Sequence, residues 1–149
     1  MNAKMSQRRL VVGALVAAGA LAIVSGCTSM SASTDTQTVT LSGANEVPPV
    51  TTSATGTATV TIKPDRSVSV KVSVTGMNAT ASHIHEGAAG TNGPVIVPFT
   101  KTADNTFAAP EGAKLTEAQY ESYKQGKLYV NVHSAAHPGG EVRAQLKGS

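Results

Sequence analysis

The chain has a single cysteine, no tryptophan, and only three tyrosines and two phenylalanines among its 149 residues. One cysteine cannot form an intramolecular disulfide, so the fold must depend on its core. With so few aromatic residues, that core is predicted to consist of Val, Ile, Leu and Ala. No serine has the Gly-x-Ser-x-Gly context of a nucleophile elbow, and "GAAGTNG" opens no helix, so it is not a phosphate loop.

The N-terminus has the pattern of an export signal. A basic segment, "MNAKMSQRRL", precedes an apolar run, "VVGALVAAGALAIVSG", and this order is typical of a secretory signal peptide. The run is shorter than the roughly 20 apolar residues that a membrane-spanning helix needs. We therefore expect residues 1–26 to be a signal peptide that is removed on export.

The signal ends in "VSGC", which resembles the bacterial lipobox and contains the only cysteine, Cys27. The resemblance implies a lipoprotein that is cleaved before Cys27 and carries lipid (palmitate among its acyl chains) on that residue. The alternative is an ordinary signal peptide followed by an incidental thiol. On the lipoprotein interpretation, residues 27–37 are the lipidated Cys and a flexible polar tether, and the protein is anchored to a membrane of the bacterial cell envelope, on its periplasmic or cell-surface side.

Removal of the signal changes the charge balance. Lys4, Arg8 and Arg9 are lost, so twelve Lys and Arg become nine, which equals the nine Asp and Glu. The net charge of +3 therefore belongs to the signal. The mature chain has no excess of basic residues, and this excludes a nucleic-acid partner.

Residues 38–149 have the length of one domain, and their apolar residues mostly recur at every second position. "ATGTATVTIK" and "SVSVKVSVTG" alternate Ala, Val and Ile with Thr, Ser and Lys, as half-buried strands do. The "KPDRS" turn between them predicts a hairpin. Further strands are predicted at Thr38–Ser42, Ser82–His85, Val95–Thr100, Leu128–His133 and Glu141–Leu146. The pattern indicates an all-β fold, an antiparallel sandwich or barrel.

One helix is predicted within "LTEAQYESYKQG". Thr116 and Gln119 have the spacing of a capping box, and Leu115 and Tyr120 occupy the hydrophobic staple positions around it. Gly126 supplies the C-terminal stop. We expect two to three helical turns.

Four stretches together resemble the CHRD domain, a family named from its repeats in chordin: "LSGANEVPPVTTSATGTA", "SHIHEGAAGTNGPVIV", "LTEAQYESYKQGKLYVNVHS" and "AAHPGGEVRAQL". The resemblance covers Val39 to Lys147. It implies an all-β Greek-key domain, immunoglobulin-like or barrel-shaped, and no general enzymatic activity. This chain has His137 where many members have Asn.

The histidines are the candidate site. His83 and His85 are separated by one residue on a predicted strand, so both side chains point to the same face. His133 ends another predicted strand, and if the two strands are neighbours, three imidazoles converge as a zinc or copper site requires. His137 is a candidate further ligand. The alternative is structural: the histidines donate hydrogen bonds to loop carbonyl groups and bind no metal.

Glu141 and Arg143 are spaced to share a strand face. We expect an ion pair, either between them or to neighbouring strands. The alternative is that Arg143 guides an anion toward the histidines.

Two functions follow from these patterns. The first is a non-enzymatic envelope module that binds a protein partner or one Cu or Zn ion. The second is a single-copper enzyme, because "HIH" resembles the His-x-His of Cu/Zn superoxide dismutases. The complete copper–zinc site of that family uses more than the four histidines present here.

Overall fold

The computed structural model of the protein describes residues 34–148. The signal peptide, Cys27 and the first part of the predicted tether lie outside the described residues. Within them, no helix is long and apolar enough to cross a membrane. The described elements are β1 Asp35–Ser42, a 3₁₀ turn Gly43–Asn45, β2 Thr55–Ile62, β3 Val68–Thr75, β4 Ala79–Glu86, β5 Val95–Pro98, β6 Thr100–Ala103, β7 Thr106–Ala108, α1 Glu117–Lys124, β8 Leu128–Ser134 and β9 Val142–Gln145.

All of the strands belong to one antiparallel sheet, in the order β5-β4-β8-β9-β1-β2-β3-β7-β6. The two strands at the ends of this order, β5 and β6, are separated along the chain by Phe99 alone. The ends of the sheet must therefore lie side by side, and the sheet curls into a nearly closed barrel. β1 pairs along its whole length with β2 and touches β9 on its other side. The predicted all-β antiparallel fold with one short helix is confirmed.

The core lies inside the curled sheet and is built from the alternating apolar residues. The inward rows of β2 and β3 include Val60, Ile62, Val70 and Val72, which are 1–3% exposed. Burial of each such side chain stabilises the fold by about 1.5–3 kcal/mol. Phe107 and Tyr123 are the aromatic members of this cluster, so the expected aliphatic core is confirmed with two additions.

The helix forms where its capping signals predict it. The Thr116 side chain accepts a hydrogen bond from the Gln119 backbone N–H, and the Gln119 side chain accepts one from the Thr116 N–H. The helix has 8 residues, about two turns. Gly126 ends it at a φ of +69°, which glycine adopts without steric cost. Tyr123 faces the core at 1% exposure.

One predicted strand is divided in the structure, and one strand of the structure was not predicted. The single strand predicted at Val95–Thr100 is divided, because β5 pairs with β4 whereas β6 pairs with β7. The chain changes partner at Pro98 and Phe99, where the sheet turns its corner. β7 was not predicted, because three residues are too few to show an alternating pattern.

The first strand begins at Asp35, three residues before the predicted start. Thr36 and Gln37, which the sequence assigns to the flexible tether, pair with Thr61 and Val60 of β2. The assignment of residues 35–37 to the tether is therefore wrong. The tether was predicted because residues 28–37 lack an apolar pattern. Residues 35–37 are instead held in place by backbone pairing and by polar side-chain contacts.

Gln37 makes the most of these contacts. Its amide nitrogen donates to the Tyr123 hydroxyl and to the Lys147 carbonyl, both at 3.1 Å, and its oxygen accepts from the Lys147 N–H at 2.8 Å. We expect Gln37→Ala to lower the free energy of unfolding by about 1–2 kcal/mol, since it removes three hydrogen bonds, of which the one to the Tyr123 hydroxyl is partly buried. Thr59→Ala, which removes one exposed hydroxyl contact with Thr38, is the control and should change it by less than about 0.5 kcal/mol. Denaturant unfolding measures both; equal effects would contradict the role given to Gln37.

Candidate metal centre

The pairing of β4 with β8 brings the histidines together. In this ladder Ala81 lies opposite His133, His83 opposite Asn131 and His85 opposite Tyr129. Since alternate residues of a strand share a face, His83, His85 and His133 all project from the outer face of the barrel. Ile84, between the two histidines of β4, is fully buried in the core. The predicted orientation of the "HIH" element is confirmed.

One ring nitrogen from each of these three histidines lies within 4.8 Å of the others, and among residues 34–148 this is the group whose geometry could hold a metal ion. The shortest separation joins His83 Nδ1 and His133 Nε2, at 3.0 Å. Nitrogens bound at about 2.0–2.1 Å to one tetrahedral zinc ion lie about 3.3 Å apart. This pair is already near that value.

Hydrogen bonds to backbone carbonyl groups set the tautomers of two rings. His85 Nδ1 lies 2.9 Å from the Gly93 oxygen, and His133 Nδ1 lies 2.9 Å from the Pro138 oxygen. A carbonyl oxygen only accepts, so both Nδ1 atoms carry hydrogen and each Nε2 of the neutral ring holds a lone pair. His83 Nδ1 then donates to His133 Nε2. Fixing one ring nitrogen in this way leaves the other oriented to bind a metal.

The loop between β4 and β5 supplies one of these carbonyl groups and is held firmly over the site. Gly93 has no room for a side chain, because a Cβ there would lie 1.7 Å from the Glu86 oxygen. The Gly93 N–H donates to the Tyr129 hydroxyl at 3.1 Å. Arg143 donates to the Thr91 carbonyl at 2.8 Å and to the Asn92 side chain at 3.1 Å. These contacts hold the loop in place.

Burial keeps the imidazoles neutral. It lowers the pKa of His83 from 6.5 to about 4, with smaller contributions from His133 and His85. Burial likewise lowers the pKa of His85 and of His133, and the carbonyl hydrogen bonds of these two rings oppose the shift. Only a neutral imidazole coordinates a metal, so lowered pKa values extend metal binding to more acidic solutions.

The lowered pKa of His83 predicts a pH-dependent stability for the metal-free protein. Between about pH 6.5 and 4, His83 is protonated in the unfolded chain but still neutral in the folded protein. Its contribution to the free energy of unfolding is therefore present above this range and is lost as pH falls through it. Glu46 has the opposite effect on stability. Its pKa is raised to about 7 in the folded protein, so its protonation favours the folded state as pH falls. We therefore expect the difference in unfolding free energy between wild type and His83→Asn to shrink from about pH 7 to about pH 4.5. A difference that stays constant across this range in denaturant titrations would contradict the lowered pKa.

Tyr129 and Arg143 form a buried layer beside the histidines. The His85 and Tyr129 rings stack at 4.9 Å with 8° between their planes, and the Arg143 guanidinium lies 3.4 Å from the centroid of the Tyr129 ring. Because β8 lies between β4 and β9, the tyrosine ring is sandwiched between the imidazole and the guanidinium. Such a stack favours a cation over the aromatic face.

Among the described residues, the predicted ion pair of Glu141 and Arg143 does not form, either between them or to neighbouring strands. Neither residue belongs to the ion pairs formed by residues 34–148, so the expected ion pair is wrong. Arg143 is 1% exposed and its donors bind the β4–β5 loop. Glu141 accepts instead from Thr52 Oγ1 at 2.7 Å and from Ser134 Oγ.

Two further polar side chains are buried next to the histidines. Asn131 is 2% exposed and Glu46 is 5% exposed. The Asn131 side chain lies beside the His85 ring. Both meet at Gly140, where an added Cβ would lie 2.6 Å from Glu46 Oε1 and 2.7 Å from Asn131 Nδ2. Any larger residue at position 140 would separate them, and its φ of +129° also requires glycine.

Glu46 resists ionisation in this position. Burial raises the pKa of its carboxyl group from 4.5 to about 7, against the opposing effect of the nearby Arg143 and of a hydrogen bond from the Val47 backbone. The sequence around Glu46, "ANEVPPV", indicates no role for its carboxyl group. Its loop follows the 3₁₀ turn, so no strand periodicity indicates which way its side chain points.

The remaining candidates lie elsewhere. His137 is not in the group of three; its backbone oxygen accepts from the Gly140 N–H at 3.1 Å, and its part in a metal site stays a prediction. The carboxylate of Glu86 accepts from Ser122 Oγ of the helix at 2.6 Å, so it is engaged by the helix and not by the histidine group.

Comparison with known proteins gives one match. The family model of the CHRD domain matches residues 37–146. No curated protein and no solved structure matches the chain.

Proposed function

Because this chain belongs to the CHRD domain family, we propose that it is a cell-envelope binding module, anchored by lipid at Cys27, that holds one transition-metal ion on three histidines. The observation that carries the metal proposal is the convergence of His83, His85 and His133 within 4.8 Å. The lipobox-like "VSGC" supports the anchor.

The chemistry of the three histidines favours Cu(II) or Zn(II). Imidazole nitrogen suits both ions, and all three rings are held neutral by burial. Two of the rings are oriented by backbone carbonyl groups of loops that the fold fixes in place. A purely structural role for the histidines explains these two hydrogen bonds, but it leaves His85 Nε2 buried without a partner among the described residues.

Elemental analysis tests this proposal. The soluble form begins at Thr28 and so keeps all of the described residues 34–148. Purified without chelators, it should contain about one equivalent of Cu or Zn, and removal of the ion should lower its melting temperature by mass action. His83→Asn is the matched variant and should contain less metal and show a smaller shift. Metal-free protein that gains neither metal nor stability from either ion would refute the metal proposal.

A single-copper, dismutase-like enzyme is the second candidate. Three protein ligands leave a fourth position, as catalytic rather than structural metal sites do. The same copper-loaded preparation decides between the two candidates. Superoxide consumption that is lost in His83→Asn would favour the enzyme, and its absence in fully loaded protein would favour the binding module.

A further inference from the structure

Three acceptor atoms lie buried and unpaired around the histidines. Among residues 34–148, the buried side-chain nitrogen and oxygen atoms without a hydrogen-bond partner are Glu46 Oε1, His85 Nε2 and Asn131 Oδ1. Their residues are 5%, 8% and 2% exposed. Unpaired buried polar atoms are costly and rare in native proteins, so three in one cluster indicate a ligand.

The three atoms share one chemical character. His85 Nε2 holds a lone pair, because Nδ1 of the same ring carries the hydrogen given to Gly93. Asn131 Oδ1 is a carbonyl oxygen, and Glu46 Oε1 accepts when its carboxylate is ionised. All three atoms are therefore acceptors without a donor, and a metal ion with a bound water molecule supplies a positive charge to one of them and two hydrogens to the others.

One metal-bound water molecule accounts for all three unpaired acceptors. His85 Nε2 binds the metal, and the oxygen lone pair of the water does the same at the position that three histidines leave open. The two O–H groups of the water then remain, and two acceptors remain to receive them. Both side chains lie close to Gly140, Glu46 through Oε1 and Asn131 through its amide nitrogen Nδ2, so the two acceptor groups lie in one region of the fold.

We propose that Asn131 and Glu46 accept the two hydrogens of a water molecule bound at the fourth ligand position of the metal. The inference rests on the metal site proposed above and makes these two residues positioning residues of that site. They hold an exchangeable ligand inside the fold, where bulk water does not reach the Asn131 side chain. The site is thereby suited to activation of water.

Other ionisable groups surround this position and contribute to its potential. On the strands and loops packed around it these are His83, His85, Tyr129, His133, His137, Glu141 and Arg143. The two substitutions below leave all of them in place.

The visible spectrum of Co(II)-substituted protein tests the proposal, because it reports the ionisation of a bound water as pH rises. Glu46→Gln removes a negative charge beside the water and should move the spectral midpoint to lower pH by about one to three units. Asn131→Asp adds a negative charge and should move it to higher pH by a similar amount. Both substitutions preserve side-chain shape, and loss of packing alone would not give shifts of opposite sign.

Glu111→Gln is the control, since it makes the same charge change at an exposed residue and should leave the midpoint unchanged. If Asn131→Asp fails to fold, the downward shift in Glu46→Gln is still required. Intact Co(II) binding with no spectral titration, or with equal midpoints in wild type and Glu46→Gln, would overturn the water proposal while the metal site stands. Loss of Co(II) binding in Asn131→Ala would also overturn it, because Asn131 would then be a direct ligand. Failure of wild type to bind Co(II) would remove the metal proposal itself.

Discussion

His83→Ala, His85→Ala and His133→Ala should each weaken binding of Zn(II) or Cu(II) by more than about 100-fold, beyond the roughly 10–100-fold cost of losing an outer-sphere partner. Each substitution removes one of three protein ligands that lie within 4.8 Å. Competition against a coloured chelator measures the affinity. We expect the largest loss of affinity in His85→Ala. The His85 ring is stacked on Tyr129 at 4.9 Å, so neither a water molecule nor another side chain can easily take its place as a ligand.

His137→Ala is the matched control for this series, because it removes the remaining imidazole of the chain without touching the group of three. A small effect is expected, since the described contacts of His137 are with Ser134, Gly140 and Glu141 and none is with the three histidines. Circular dichroism establishes that each variant is folded. Equal losses of affinity for all four variants would show that the ligand set is wrong.

Cys27→Ala should abolish lipidation and shift the protein from the membrane fraction to the soluble fraction. Each buried methylene of a lipid chain contributes about 0.8 kcal/mol to membrane binding, so two or more chains anchor a protein stably. Fractionation after a high-salt wash measures the location, and intact mass measures both the lipid and the cleavage of the signal peptide.

Ser25→Ala is the control for this change, because it retains a small residue within "VSGC" and should leave lipidation intact. Mass is needed in addition to fractionation, since an uncleaved signal peptide can itself hold a chain at the membrane. A Cys27→Ala chain that lacks its signal peptide and still resists a high-salt wash would contradict the anchor.

The face on which each histidine lies was predictable from its own strand. That the three histidines lie close together could not be derived from the pattern of any single strand. Alternation places His83 and His85 on one face and puts Ile84 in the core, and it assigns His133 to the polar face of its own strand. Whether β4 and β8 are neighbours depends on the order of the sheet, which joins segments about fifty residues apart in a way that local patterns do not encode. The prediction was therefore conditional, and the pairing of Ala81 with His133 meets its condition.

The parts that sequence reasoning missed are those set by loops. Glu46 and the carbonyl groups of Gly93 and Pro138 reach the site from segments without periodicity, so nothing in the sequence indicates their direction. Arg143 was assigned to an ion pair from its spacing to Glu141. The structure places Glu141 before the start of β9 and uses Arg143 to fasten the loop above Tyr129.

The most direct test of the metal centre is a nitrogen-15 NMR spectrum of the four histidine rings, recorded while Zn(II) is added to the metal-free soluble domain. Without metal, His85 and His133 should carry hydrogen on Nδ1, as their bonds to Gly93 and Pro138 require. One equivalent of Zn(II) should move the Nε2 signals of these two rings. It should also move the Nδ1 signal of His83, because the metal replaces the hydrogen bond to His133 and the hydrogen of that ring moves to Nε2. His137 should stay unchanged. Signals of His83, His85 and His133 that do not move after one equivalent, or a response confined to His137, would contradict the three-histidine site.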